Sequence, residues 1–252
     1  MTNHLKVAEL LIERGAHLNV TCAAGRTPLY RAAGGSLYYT GPKIYGYHAS
    51  YGSKEMTQLL IECGADPNIV AVSDGKTSMH GAAEEGHPDR LQILIGCGVD
   101  LNVAMRNGFT PLHCATHGNH IEVVKHLLDS GADPNVTDEW GATALHLSVD
   151  IQNKELAKIF IRTGADLNIV DQNGKAPLHL AVIEGIKEMA EIFLEGGADP
   201  NVVDKDGKTP LHDVAQADKD MAELLIKGGA DPKKTDNQGN IPAVCVNLHY
   251  HP

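Results

Sequence analysis

Histidine returns along this chain at a fixed interval: His80, His113, His146, His179 and His212 stand 33 residues apart. Imidazole at such regularity could ligate a metal ion or carry protons. His113 and His117, at positions i and i+4, would even share one face of a helix. The surrounding residues complete neither chemistry. The five cysteines form no C-x-x-C pair, and no nucleophile elbow, phosphate loop or zinc spacing is written in the chain. Each histidine instead closes the same four-residue phrase. The copies are Thr77-Ser78-Met79-His80, Thr110-Pro111-Leu112-His113, Thr143-Ala144-Leu145-His146, Ala176-Pro177-Leu178-His179 and Thr209-Pro210-Leu211-His212. An earlier copy, Thr27-Pro28-Leu29-Tyr30, ends in tyrosine, so the slot does not require imidazole. A structural histidine is the expectation, with no metal, no cofactor and no catalytic residue.

A second phrase, G-A-D-x-N or a close variant, begins at Gly15, Gly64, Gly98, Gly131, Gly164, Gly197 and Gly229. Together the two phrases define a structural unit. In the copy from Asp171 to Val203, Asp171-Gln172-Asn173-Gly174 is a polar turn, the tip of a hairpin-like finger. Pro177 suits the first position of a helix, where its missing N–H costs nothing, and threonine fills the cap slot in most other copies. Leu178, Ala181 and Val182 give that helix an apolar stripe. Gly185 breaks it. Met189, Ala190, Ile192, Phe193 and Leu194 form the wider apolar face of a second helix, and Gly197 ends it as a left-handed cap. Neither helix can bury its face alone, so stacked neighbours must complete the core.

Period and phrases resemble the ankyrin repeat over about residues 2–244. The resemblance implies an all-α repeat solenoid: stacked helix-turn-helix ankyrin repeats with β-hairpin-like fingers, in one domain over residues 1–252. The units are about 1–21 (partial), 22–71, 72–104, 105–137, 138–170, 171–203, 204–235 and 236–252 (partial). The chain starts at the turn between two helices, so either the first unit is expected to serve as a reduced cap or the chain is a fragment of a longer protein. The resemblance also implies that the T-P-L-H histidine bridges neighbouring loops by hydrogen bonds. It implies non-catalytic protein binding on a concave face lined by finger tips and first helices.

Composition narrows the partners. Formal net charge is −11, which argues against nucleic acid, and no apolar run approaches membrane-spanning length. The odd cysteine count, with Cys63 and Cys97 in equivalent slots, points to buried or half-buried free thiols and to a cytoplasmic or otherwise intracellular setting. A protein partner of unknown identity is expected, and a monomer is favoured over an oligomer.

Binding residues should lie where the copies differ. At the finger tips these are Arg106, Phe109, Glu139 and the only tryptophan, Trp140; Asp150 and Ile151 follow the first helix of the unit that carries Trp140. The alternative is an isolated surface aromatic. Arg90 stands where other units carry Val7, Met56, Val123, Leu156, Met189 or Met221, either snorkelling outward or making a local polar contact. The largest departure is an insertion within residues 34–51, because Thr27 and Thr77 stand 50 residues apart. It holds Tyr38, Tyr39, Tyr45, Tyr47 and Tyr51 among glycines, the composition of an adaptable recognition loop. The competing expectation is a loop packed on the array. The function expected is a protein-binding scaffold or adaptor. The alternatives are an inhibitor or regulatory subunit of an enzyme, and the binding module of a larger enzyme.

Overall fold

A computed structural model describes residues 2–35, 52–215 and 217–247. The chain divides into two compact units, Met1–Asp133 and Pro134–Pro252. The first contains α1 (Thr2–Glu13), α2 (Pro28–Ala33), α3 (Lys54–Glu62), α4 (Ser78–Glu84), α5 (Pro88–Ile95), α6 (Pro111–His117) and α7 (Ile121–Asp129). The second contains α8 (Ala144–Asp150), α9 (Lys154–Arg162), α10 (Pro177–Ile183), α11 (Lys187–Glu195), α12 (Pro210–Asp213), α13 (Lys219–Lys227) and α14 (Ala243–Asn247). The architecture is the all-α repeat solenoid expected from the period.

Apart from α1, these helices have nine residues or fewer. Isolated helices of that length are marginal in water, so packing must hold them. In the first unit α4 lies between α2 and α6, and α5 between α3 and α7. In the second α10 lies between α8 and α12, and α11 between α9 and α13. The leucine of the four-residue phrase is the centre of each first helix: Leu29, Leu112, Leu145, Leu178 and Leu211 are buried, with Met79 in the same slot. From the second helices come Leu91, Leu94, Val123 and Leu127 in the first unit, and Leu156, Phe160, Met189, Phe193, Met221 and Leu225 in the second.

The fingers stack by backbone hydrogen bonds. Ser73 donates to the Ala24 carbonyl at 3.2 Å and Arg106 to Asp74 at 2.9 Å in the first unit. Gln172 donates to Trp140 at 2.7 Å, Lys205 to Asn173 at 3.1 Å and Asn237 to Asp206 at 2.9 Å in the second. Glycine at the tip permits this approach: Gly174 has φ +80°, and a Cβ there would come 2.6 Å from the Lys205 nitrogen.

The aspartate and asparagine of the second phrase have distinct tasks. Asp166 and Asp199 each accept the backbone N–H two residues on, from Asn168 at 2.9 Å and Asn201 at 2.8 Å. The asparagine Oδ1 accepts from the aspartate N–H of the next repeat. Asn102 takes Asp133 at 2.9 Å in the first unit; Asn135 takes Asp166, Asn168 takes Asp199 and Asn201 takes Asp231, each at 2.8 Å, in the second. One phrase thus closes a turn and links it to the following one.

Two local expectations need revision. Cys22, Cys63 and Cys97 are exposed free thiols rather than buried ones; only Cys114 and Cys245 are buried. Cys63 and Cys97 immediately precede Gly64 and Gly98, where the chain leaves the second helix and the side chain faces solvent. Arg90 is buried, and its Nη2 donates to the Gly52 carbonyl at 2.9 Å, so the local polar contact prevails over snorkelling.

Candidate functional site

The histidines show first what the repeated phrase does. Nδ1 of His80 accepts the Thr77 backbone N–H at 3.1 Å; His146 does the same for Thr143 at 3.1 Å, His179 for Ala176 at 3.2 Å and His212 for Thr209 at 3.1 Å. A nitrogen that accepts from an amide carries no proton, so the proton sits on Nε2. That nitrogen donates to the next finger: His80 to the Phe109 carbonyl at 3.1 Å, His146 to Lys175 at 3.1 Å, His179 to Lys208 at 3.2 Å, and His212 to Asn240 at 3.1 Å. Imidazole thereby caps its own helix and anchors the neighbouring finger, as the ankyrin resemblance implied.

Protonating Nδ1 would turn an acceptor into a donor facing an N–H. Burial disfavours the cation as well and holds His80 down to about 4, with His179 lowered for the same reason. His113 follows the pattern through Thr110 at 3.2 Å, while His117 is exposed. Among the described residues no group of three or more His, Cys, Asp or Glu is placed to hold a metal ion. Tyr30 takes the histidine slot in the first copy with its ring buried beneath the Arg26 guanidinium, 5.1 Å from the ring centre.

The residue before the threonine slot carries charge into the finger–helix junction. Arg26 pairs with Asp74 at 3.0 Å, and Lys76 with Glu84, in the first unit. Lys175 bridges Asp204 at 3.2 Å and Asp213 at 3.0 Å in the second. Burial works against the Lys175 ammonium, yet the two aspartates outweigh it and raise its pKa. Burial also opposes the Asp204 carboxylate, but hydrogen bonds from the Lys208 backbone and the Lys175 side chain leave its pKa lowered.

The anticipated binding residues fall in both units. In the first, Arg106 is exposed at the finger, with Nη2 donating to the Val72 carbonyl at 2.6 Å. Phe109 is half-buried, its ring stacked 5.3 Å from His113 and edge-on 6.4 Å from His117. In the second, Glu139 is exposed and Trp140 is 43% exposed. The Asp138 carboxylate holds the Trp140 and Ala142 backbone N–H groups at 2.9 and 2.8 Å, and the Trp140 carbonyl accepts from Gln172. Asp150 ends α8, exposed, and Ile151 is half-buried beside it. Tyr38, Tyr39, Tyr45, Tyr47 and Tyr51 lie outside the described residues.

Residue-type reasoning at the finger tips passed over the slot four residues after the threonine. In the first unit it holds Arg31, Gly81 and Cys114; in the second Leu147, Leu180 and Asp213. Leu147 and Leu180 are half-exposed and stand on the same side as the 46%-exposed Ile183. In the first unit the small Cys114 side chain borders a hollow beside Phe109. Alignment of the copies already displayed the variation at this slot.

Fingers joined to paired helices, with histidine as the joint, define the class as an ankyrin-type repeat protein. The family model for ankyrin repeats in three copies matches residues 46–138, 118–204 and 145–236, and that for ankyrin repeats in many copies matches residues 1–38. The chain belongs to the ankyrin-repeat family. Ankyrin repeats are generally protein–protein interaction modules, and the family is typically non-catalytic. No curated protein matches the chain. Among the described residues no helix is long and apolar enough to cross a membrane.

Proposed function

We propose that this protein is a non-catalytic scaffold or adaptor that binds a protein partner through finger tips and first helices, acting inside the cell. The observation that carries this reading is Trp140. A large aromatic side chain, 43% exposed, sits on a finger whose backbone is tied on one side by Asp138 and on the other by Gln172. An exposed indole on a pre-ordered backbone loses little freedom on binding and matches the residue type that dominates interface energies. Glu139 beside it, and Asp150 and Ile151 at the end of α8, are the further contact residues of this reading. In the first unit, Arg106 and Phe109 are the corresponding contact residues. The tyrosine-rich insertion is a further recognition element on compositional grounds. Free thiols agree with an intracellular, reducing setting.

Pull-down with cross-linking, using the whole chain as bait, tests the reading. Trp140→Ala should leave stability within about 0.5 kcal/mol and weaken capture by about 2 kcal/mol or more, roughly thirtyfold. A variant that unfolds, or that binds per folded molecule as the parent does, would assign Trp140 to packing.

A further inference from the structure

The hollow in the first unit has chemistry of its own. Its volume is ≈ 370 Å³, within the range of about 300–1,000 Å³ that side-chain-sized and larger ligands occupy. The finger residues Met105 and Phe109 form one wall, and Cys114 lies against it, buried with its thiol pushed up to about 12 by burial, so that it acts as an apolar surface. The end of α4 lines it too, with Glu84 as the last residue of the helix and Glu85 as its C-cap. Lys76 pairs with Oε2 of Glu84 and cancels its charge. Oε1 of Glu84 and the whole Glu85 carboxylate have no hydrogen-bond partner among the described residues. One negative charge is therefore uncompensated inside a half-closed site, on a chain whose net charge is −11.

We infer that this hollow is a subsite for one arginine side chain of an extended segment of the protein partner. The guanidinium lies against Phe109 and donates to Glu84 Oε1 and to Glu85. The inference rests on the protein-binding reading above and names the partner's chemistry at one position. Guanidinium meets both walls: its plane suits an aromatic face, and its five donors suit two carboxylates. An apolar side chain would strip water from Glu85 without replacing its hydrogen bonds. A carboxylate would be repelled. A lysine ammonium, compact and strongly hydrated, would pair with Glu85 but leave the Phe109 wall uncovered. The site is also pre-formed, because Phe109 is stacked on His113 and its carbonyl is held by His80.

The test is amide NMR on the full chain, titrated with an acetylated, amidated Gly-Ser-Arg-Ser-Gly peptide and with its citrulline counterpart, which keeps shape and loses charge. The arginine peptide should shift the Phe109, His117 and Gly118 amides with a Kd of about 1 mM. Citrulline should bind at least about tenfold more weakly. Glu85→Gln should weaken arginine binding about threefold or more without disturbing the remaining amides, and Glu85→Lys should abolish it. Equal response to both peptides, shifts centred elsewhere, or no shift at about 10 mM peptide overturns the subsite. A captured partner that cross-links to finger and first-helix residues but tolerates Glu85→Lys would sink the subsite alone. A partner that cross-links only to the second helices would sink the broader reading.

Discussion

His80 offers the sharpest check on how the repeats are joined. Its ring is fully buried, accepting from Thr77 N–H on Nδ1 and donating from Nε2 to the Phe109 carbonyl. Burial is the leading cause that holds its pKa to about 4; the nearby Lys76 adds to it, while the Phe109 carbonyl and Asp74 oppose it. In the unfolded chain the value returns to about 6.5. The unfolded state therefore binds the extra proton, and stability rises with pH. The contribution is complete above about 6.5 and is lost as the pH falls from there through about 4. A gap of about 2.5 pH units at ~1.36 kcal/mol each gives roughly 3 kcal/mol for this one ring. His80→Gln supplies the control. Its amide can accept from Thr77 and donate to Phe109, but it does not titrate. At pH 7 the variant should lie within about 1–2 kcal/mol of the parent. Between pH 7 and 4 the parent should lose roughly 3 kcal/mol more than the variant in urea unfolding followed by circular dichroism. The His80 ring resonance should show no titration near pH 6.5. A parent and variant whose stability curves stay parallel, with His80 titrating near 6.5, would refute the buried-acceptor argument.

Leu145 is fully buried in α8, so Leu145→Ala should cost about 2–5 kcal/mol, and the melting transition should broaden or split as neighbouring repeats lose their stacking partner. A loss below about 0.5 kcal/mol would place the residue at the surface. Asn168→Ala removes the acceptor of the Asp199 N–H and should cost about 0.5–1.5 kcal/mol in thermal unfolding; Asn173→Ala, whose side chain bonds only to Asp171 of its own finger, should cost less. Replacing Ser36–Ser50 with a short glycine–serine turn should leave the repeats folded by circular dichroism, because loop-closure entropy varies only with the logarithm of length. Partner affinity or self-association should fall. Unchanged binding with a stability loss of several kcal/mol would assign those tyrosines to the core.

The period, the helix pair within each unit, the buried leucine slots and the structural role of histidine were all legible in the chain. The reason is that each depends on local chemistry repeated many times. Proline and threonine mark a helix start, glycine marks a stop, and apolar residues recur at helical spacing. Repetition removes the ambiguity that any one copy would leave, and the Tyr30 copy separates structural need from imidazole chemistry. Other features required neighbours in space. That the asparagine of one unit accepts from the aspartate N–H of the next could not be read from Asn168 and Asp199, which stand 31 residues apart and bond only once the repeats stack. The exposure of Cys63 and Cys97 follows from the direction in which the chain leaves each second helix, a matter of backbone geometry at the cap rather than of residue type. The resting place of Arg90 depends on Gly52, which stands 38 residues earlier in the chain and which packing returns to contact. The hollow beside Phe109 forms where the end of α4 faces Cys114 and the finger that carries Met105 and Phe109, and unfilled volume is a property of surfaces brought together. Composition names the groups that line such a space; only stacking decides that they face one another.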